Sequence, residues 1–232
     1  VLGWRSDANT GGRGVSFMRP TSFFENDLWV SDFDNDIRNS EFNYVRDFFY
    51  DDPSSAYFGM SLLENPGPNW LAQDWRWYPW LTKVTTPNNH PDNLYQDKDL
   101  GLLNSGGGST YTDQYILRLP ETYLLRAEAY LANGEPEEAA EDINVVRTRA
   151  EATPVNAVDV DIDYILDERA RELSLEGNRR LTLQRLNKLV ERVRLYNEHN
   201  SDDIQDYHER WPIPFAEIEA NTGADLGQNQ GY

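Results

Sequence analysis

Apolar residues change their spacing part-way along the chain. From Ile116 onward they recur at helical intervals, with Ile116, Leu119, Tyr123, Ala127, Tyr130 and Leu131 close to one face of a 3.6-residue turn. Asn133-Gly134 predicts the end of that helix, and Pro136, whose missing N–H costs nothing in a first turn, predicts the start of the next. Ala139, Ala140, Ile143, Val146 and Ala150 repeat the spacing, so the two segments form an αα-hairpin. Beyond a linker at 153–160, Asp161 or Asp163 can cap a third helix with Ile165, Leu166, Ala170 and Leu173 on one face. Gly177 is its expected left-handed stop. A fourth helical stretch is expected from about Arg179 to His199, on Leu186, Leu189, Val190, Val193 and Tyr196.

Upstream the helical period is lost. Six of the seven Trp and eight of the nine Phe lie before residue 81, among turn-forming runs such as Gly11-Gly12-Arg13-Gly14 and Asn65-Pro66-Gly67-Pro68. The rings supply the large buried areas that low-complexity disorder lacks, so loops, short strands and one or two helices are expected there. The Ala-rich hairpin around Gly134 resembles a tetratricopeptide unit, because small residues let paired helices approach closely. The expected fold class is mainly α, with tetratricopeptide-like helical hairpins of the α/α superhelix type and a large loop-rich, aromatic-rich region. Three parts follow: a loop-rich, ligand-binding 1–115, a helical 116–200, and a tail, 201–232. The tail is expected to pack on the helices through Ile213, Phe215, Ile218 and Tyr232.

Charge and composition narrow the function. The 232 residues carry 21 Lys plus Arg against 40 Asp plus Glu, a net charge of −19, which repels phosphate backbones and anionic lipid. Nucleic acid is therefore a poor partner. With no cysteine, the chain offers no disulfide, thiolate metal site or thiol nucleophile. No apolar run approaches the ~20 residues of a membrane span.

Catalytic patterns are equally scarce. His90, His199 and His208 are not spaced as His-Glu-x-x-His, no Gly-x-Ser-x-Gly elbow surrounds Ser16 or Ser61, and Gly106 to Gly108 lacks the Gly-Lys-Ser/Thr of a phosphate loop. No catalytic residue and no enzyme activity are expected. Asp32, Asp34 and Asp36 alternate like the opening of a calcium loop, but Ile37 stands where glycine is needed and Asn43 where the bidentate Glu belongs. No cofactor is expected, with a looser calcium site as the alternative to an acidic turn fixed by Asp36 and Arg38. Glu168, Arg169, Arg171, Glu172, Glu176, Arg179, Arg180 and Arg185 read as exposed ion pairs at helical spacing rather than a catalytic cluster.

Several segments then fall together. Arg118-Leu119-Pro120-Glu121-Thr122-Tyr123-Leu124-Leu125-Arg126-Ala127-Glu128-Ala129-Tyr130 precedes Ile143-Asn144-Val145-Val146-Arg147-Thr148-Arg149-Ala150 and Ile165-Leu166-Asp167-Glu168-Arg169-Ala170-Arg171-Glu172-Leu173. Glu176-Gly177-Asn178-Arg179-Arg180, Pro212-Ile213-Pro214 and Gln228-Asn229-Gln230-Gly231-Tyr232 follow. In this order they resemble the C-terminal half of the SusD/RagB family of surface nutrient-binding lipoproteins. Leu181, Thr182 and Gln230 depart from the family's usual residues, as in a divergent member. The resemblance implies a non-enzymatic subunit that captures oligo- or polysaccharide for a TonB-dependent, SusC-like transporter on the outer membrane. It also implies a lipid anchor in an upstream region outside this chain, which would then be the C-terminal portion ending at Tyr232. Peptide as ligand, or a helical protein-interaction module, are the alternatives.

Flat rings stack on the CH faces of sugars, and most Trp residues are core. The ligand-binding residues expected here are Trp4 and Arg5, in a Gly- and Asn-rich loop, with Trp29, Trp75 and Trp77. Trp75 and Trp77, one strand period apart, would place two rings about 6 to 7 Å from each other.

Overall fold

The computed structural model describes residues 6–7, 19–50, 53–65, 78–84, 88–108 and 113–232. They belong to two compact units, one holding the described residues up to Pro20 with Phe24–Gly177, the other Thr21–Phe23 with Asn178–Tyr232.

In the first unit the helical period produces α2 (Leu119–Ala132), α3 (Pro136–Arg149) and α4 (Ile162–Leu173); a one-turn α1 (Ser22–Glu25) precedes them, its first two residues counted with the second unit. Helix α2 starts three residues later than the apolar spacing suggests. Pro120 has no N–H to donate and so sits in the first turn, which leaves Ile116 outside the helix and 98% exposed. Gly134, at φ +78°, makes the left-handed turn that only glycine adopts without strain. Acidic Glu137 and Glu138 open α3 and basic Arg147 and Arg149 close it, matching the helix dipole at both ends. The Asp161 carboxylate caps α4 by accepting from the Tyr164 N–H at 2.7 Å.

These helices share one core. Ala127 meets Ala139 and Ala140, letting α2 and α3 close up, while Leu124, Ile143, Val146, Ile165 and Leu173 fill the space toward α4. Each buried Leu or Ile contributes roughly 1.5–3 kcal/mol of transfer free energy. The mainly α, tetratricopeptide-like class holds.

The expected stop after α4 is displaced. Leu175, not Gly177, takes the left-handed conformation, at φ +64°. Gly177 is needed for close approach instead: a Cβ there would lie 3.1 Å from Leu173 Cβ, where its N–H donates to the Leu173 carbonyl.

Among the described residues, the loop-rich part builds little regular structure. Strands β1 (Ser6–Asp7), β5 (Leu102–Leu103) and β4 (Tyr95–Asp97) pair antiparallel in that order. Strands β2 (Tyr44–Val45) and β3 (Trp80–Leu81) form a second pair, with Tyr44 opposite Leu81. Short 3-10 turns at Asp27–Asp32 and Ile37–Asn39 carry the chain between them.

In the second unit the single helix expected over 179–199 is two, α5 (Arg179–Arg185) and α6 (Leu189–Tyr196). Asn187, at φ +52°, breaks the run; asparagine tolerates that region better than most residues. The first turn of α6 is closed by a distant side chain, since the Glu209 carboxylate accepts from Val190 N–H at 2.8 Å. A short α7 (Phe215–Ala220) interrupts the tail. Ile213 and Ile218 are half-buried, but Phe215 and Tyr232, expected to be covered, stay exposed.

Candidate functional site

Trp29 corrects one sequence expectation. Its ring is 1% exposed, packs edge-on against Phe24, and its indole N–H donates to the Phe24 carbonyl at 2.6 Å. With no open face it cannot stack on a sugar; it is core, as large apolar rings usually are. Trp4, Arg5, Trp75 and Trp77 lie outside the described residues, so Trp29 is the one member of the expected set that the structure places. Trp80 is half-buried in β3.

The structure does assemble a charged layer between the loops and α4. The Glu168 carboxylate, 0% exposed, accepts from three guanidinium groups: Arg38 at 2.8 Å on one oxygen, Arg147 at 2.8 Å and Arg171 at 2.9 Å on the other. One turn further, Glu172 accepts from Arg38 at 3.1 Å, Arg118 at 2.9 Å and Arg149 at 2.7 Å. Arg118 also reaches Glu176, as does Lys83, whose ammonium donates to the Glu172 carbonyl as well. These residues were expected to be exposed pairs. Glu168 and Glu172 are instead buried, because the spacing of four places both on the face of α4 that the loop segment covers.

The loop side of this layer comes from the acidic turn. Asp36 holds Arg38 in a two-bond fork, at 2.8 and 2.6 Å, and accepts the Arg38 backbone N–H, fixing the turn as its sequence suggested. Asp32 accepts from Arg147 at 2.6 Å and from the Thr153 N–H at 2.8 Å. Both carboxylates are therefore taken by guanidinium and backbone donors, and no group of three acidic or His ligands stands together among the described residues. The looser calcium site gains no cluster from the fold.

Electrostatics follow from the contacts. Burial alone would raise the Asp32 pKa, but hydrogen bonds from Thr153, Ser31 and Arg147 outweigh it and bring it down to about 2. Glu168 shows the same contest: burial raises, while Arg38, Arg171 and Arg147 together hold it below the usual carboxylate range. Burial lowers Lys83 despite Glu176 beside it. Every member of this layer has an opposite charge in contact, so it serves as a fastening rather than as a reactive site.

The histidines make no buried catalytic pair among the described residues: His199 Nε2 lies 3.5 Å from the Glu198 carboxylate, but both side chains are exposed. His208 Nδ1 accepts from the Gln205 N–H in a capping box, and His90 is buried against Tyr95. No helix among the described residues is long and apolar enough to cross a membrane.

The segments that carry the resemblance are thus the same ones that build α2, α3, α4 and the charged layer, and a model of the SusD family matches residues 73–232. The chain belongs to the SusD family. It is 36% identical over 125 residues to the starch-binding protein SusD of Bacteroides thetaiotaomicron, a match covering 52% of this chain and 22% of that protein. It is 31% identical over 170 residues to a SusD-like protein of Formosa agariphila, covering 68% of this chain and 32% of the relative. The chain therefore spans less than a third of either relative's length. A crystal structure of a SusD superfamily protein from Bacteroides vulgatus superposes with TM-score 0.56 at 18% identity, over 92% of this chain and 44% of that one. That superposition establishes the shared helical fold. Sequence reasoning missed the meeting of Asp32 and Arg147, which lie 115 positions apart and are joined only through tertiary folding.

Proposed function

We propose that this chain is part of a non-enzymatic glycan-binding subunit at the cell surface, which captures oligo- or polysaccharide for a TonB-dependent, SusC-like outer-membrane transporter. The carrying observation is membership of the SusD family, together with 36% identity to a starch-binding relative. On this reading the protein is held to the outer membrane through a lipid anchor outside the given sequence, works without a cofactor, and binds neither nucleic acid nor membrane through its own surface.

The physical design supports the reading. A helical hairpin scaffold is fastened to irregular loops by buried ion pairs, and such loops present ligand-contacting side chains from a rigid base. Trp4, Arg5, Trp75 and Trp77 are the residues we assign to ligand contact within 1–115. The test is native electrophoresis through gels containing soluble starch, a β-1,3-glucan, a mannan or a xylan, run beside a peptide panel in calorimetry. Retardation by at least one polysaccharide, with no reducing-sugar release, is the expected outcome. Binding of peptide alone would transfer the chain to peptide capture.

A further inference from the structure

Arg180 is unlike the arginines of the charged layer. Its guanidinium carbon lies 3.8 Å from the centroid of the Trp211 ring. Among the described residues its N–H donors meet no carboxylate or carbonyl, although the chain carries a net −19. A guanidinium laid flat on an aromatic face holds the ring in place and keeps its own donors at the ring edge. Trp211 nevertheless remains 56% exposed. Since one face rests on Arg180, that exposure belongs to the opposite face and the edges.

The backbone that carries this ring is pinned on both sides. Asn229 Nδ2 donates to the Trp211 carbonyl at 2.8 Å, and the Gln228 amide exchanges two hydrogen bonds with Ile213, at 2.7 and 2.8 Å. The Tyr232 hydroxyl donates to the Arg210 carbonyl at 2.8 Å. Gly231, at φ +102°, lets the tail close in this way, because a Cβ there would fall 2.4 Å from the Tyr207 ring. The result is a flat, half-open aromatic surface on a fixed base, beside guanidinium donors that meet no acceptor among the described residues, arranged before any ligand arrives.

We propose that Trp211 and Arg180 form a carbohydrate-stacking position in the second unit, in addition to the loop residues assigned above. A pyranose ring lays its CH face on the open face of Trp211, and Arg180 donates to hydroxyl oxygens at the ring edge. The class of ligand rests on the glycan-binding reading; the position rests on the geometry of these two side chains.

The experiment takes the polysaccharide that retards the native chain most and measures its dissociation constant with native, Trp211→Ala, Trp211→Phe and Arg180→Gln proteins. Loss of one stacked ring predicts about tenfold weaker binding for Trp211→Ala. Trp211→Phe, which keeps a ring, and Arg180→Gln, which keeps the platform, should each lose roughly two- to threefold, under the same energy scale. In the native protein, N-bromosuccinimide oxidation of Trp211, mapped by peptide mass spectrometry, should slow several-fold with the polysaccharide present. This second measurement needs no variant and so stands whether or not Trp211→Ala folds. Equal affinity of folded Trp211→Ala and native protein, or oxidation of Trp211 unchanged by ligand, overturns the stacking position and leaves the glycan-binding reading intact. Failure of the native chain to bind any polysaccharide overturns both.

Discussion

The α2–α3 hairpin and the 27–50 loop segment achieve burial by opposite means. In the hairpin, neighbours in sequence become neighbours in space through Ala127, Ala139, Ala140 and Ile143, an apolar cluster beside which Glu128, Asp142 and Arg147 are the buried charges of the same two helices. The loop segment has few apolar anchors, Leu28, Trp29, Tyr44 and Tyr50, and is tied down by charges drawn from 115 to 134 residues away. Apolar contacts tolerate rearrangement, whereas an ion pair taken out of water stabilises only while every partner is in place. The difference makes the helices the steady part of this chain and the charged layer the part that responds to single substitutions and to acid.

The sharpest way to break that comparison is to truncate or neutralise one buried side chain on each side of it. Glu168→Gln leaves Arg38, Arg147 and Arg171 facing a neutral amide and should cost about 3–5 kcal/mol in urea denaturation. Ile143→Ala, in the hairpin core, should cost about 2–5 kcal/mol by leaving a cavity. The two should separate in hydrogen exchange, where Glu168→Gln exposes amides in 32–45 before those of α2 and α3. Equal loss of protection throughout would mean that the layer and the hairpin unfold as one body.

Acid sharpens the same contrast with a smaller effect. The Asp32 pKa, about 2 when folded, lies below the ordinary carboxylate value near 3.8, so its contribution is fully present above about pH 4 and is lost as pH falls through about 2. Glu168 is shifted in the same direction and adds to the loss over acid pH. Near-UV circular dichroism from the loop aromatics should therefore fade at higher pH than the far-UV helix signal during acid titration. Because these pairs are buried, moderate salt at pH 7 should leave both signals unchanged.

Sequence pattern and structure agree where causes are local. Apolar spacing, Pro136, Gly134 and Asp161 place the hairpin and the third helix, since propensity, caps and period act within a few residues. Agreement ends where distant residues decide. Glu168 and Glu172 have the spacing of exposed helix pairs, and only the loop folding over α4 makes them buried. Likewise the period over 179–199 suits one helix, yet Glu209, well outside it, caps a second start at Leu189. Of the five ligand-binding residues expected, Trp29 illustrates the harder problem, because an aromatic ring in a loop has the same signature whether it faces sugar or core. Trp211, the one tryptophan outside the aromatic-rich half, is 56% exposed with the guanidinium of Arg180 stacked on one face, an arrangement no spacing could reveal.

The smallest expected effect tests whether the third helix depends on its cap or on the charged layer. Asp161 ends the linker from α3 and accepts the Tyr164 N–H, satisfying one of the donors that the first turn of α4 leaves open. Asp161→Ala should cost about 0.5–2 kcal/mol and fray that turn, with faster exchange at Tyr164 and Ile165. The far end of α4, where Glu168 and Glu172 meet five arginines, should keep its protection, because those contacts fix the helix independently of its start. Asp161→Asn, which retains a side-chain acceptor, should recover most of the loss. If Asp161→Ala also loosens the Glu168 contacts, then α4 responds as a rigid rod to its cap, and the charged layer is less self-sufficient than its geometry implies.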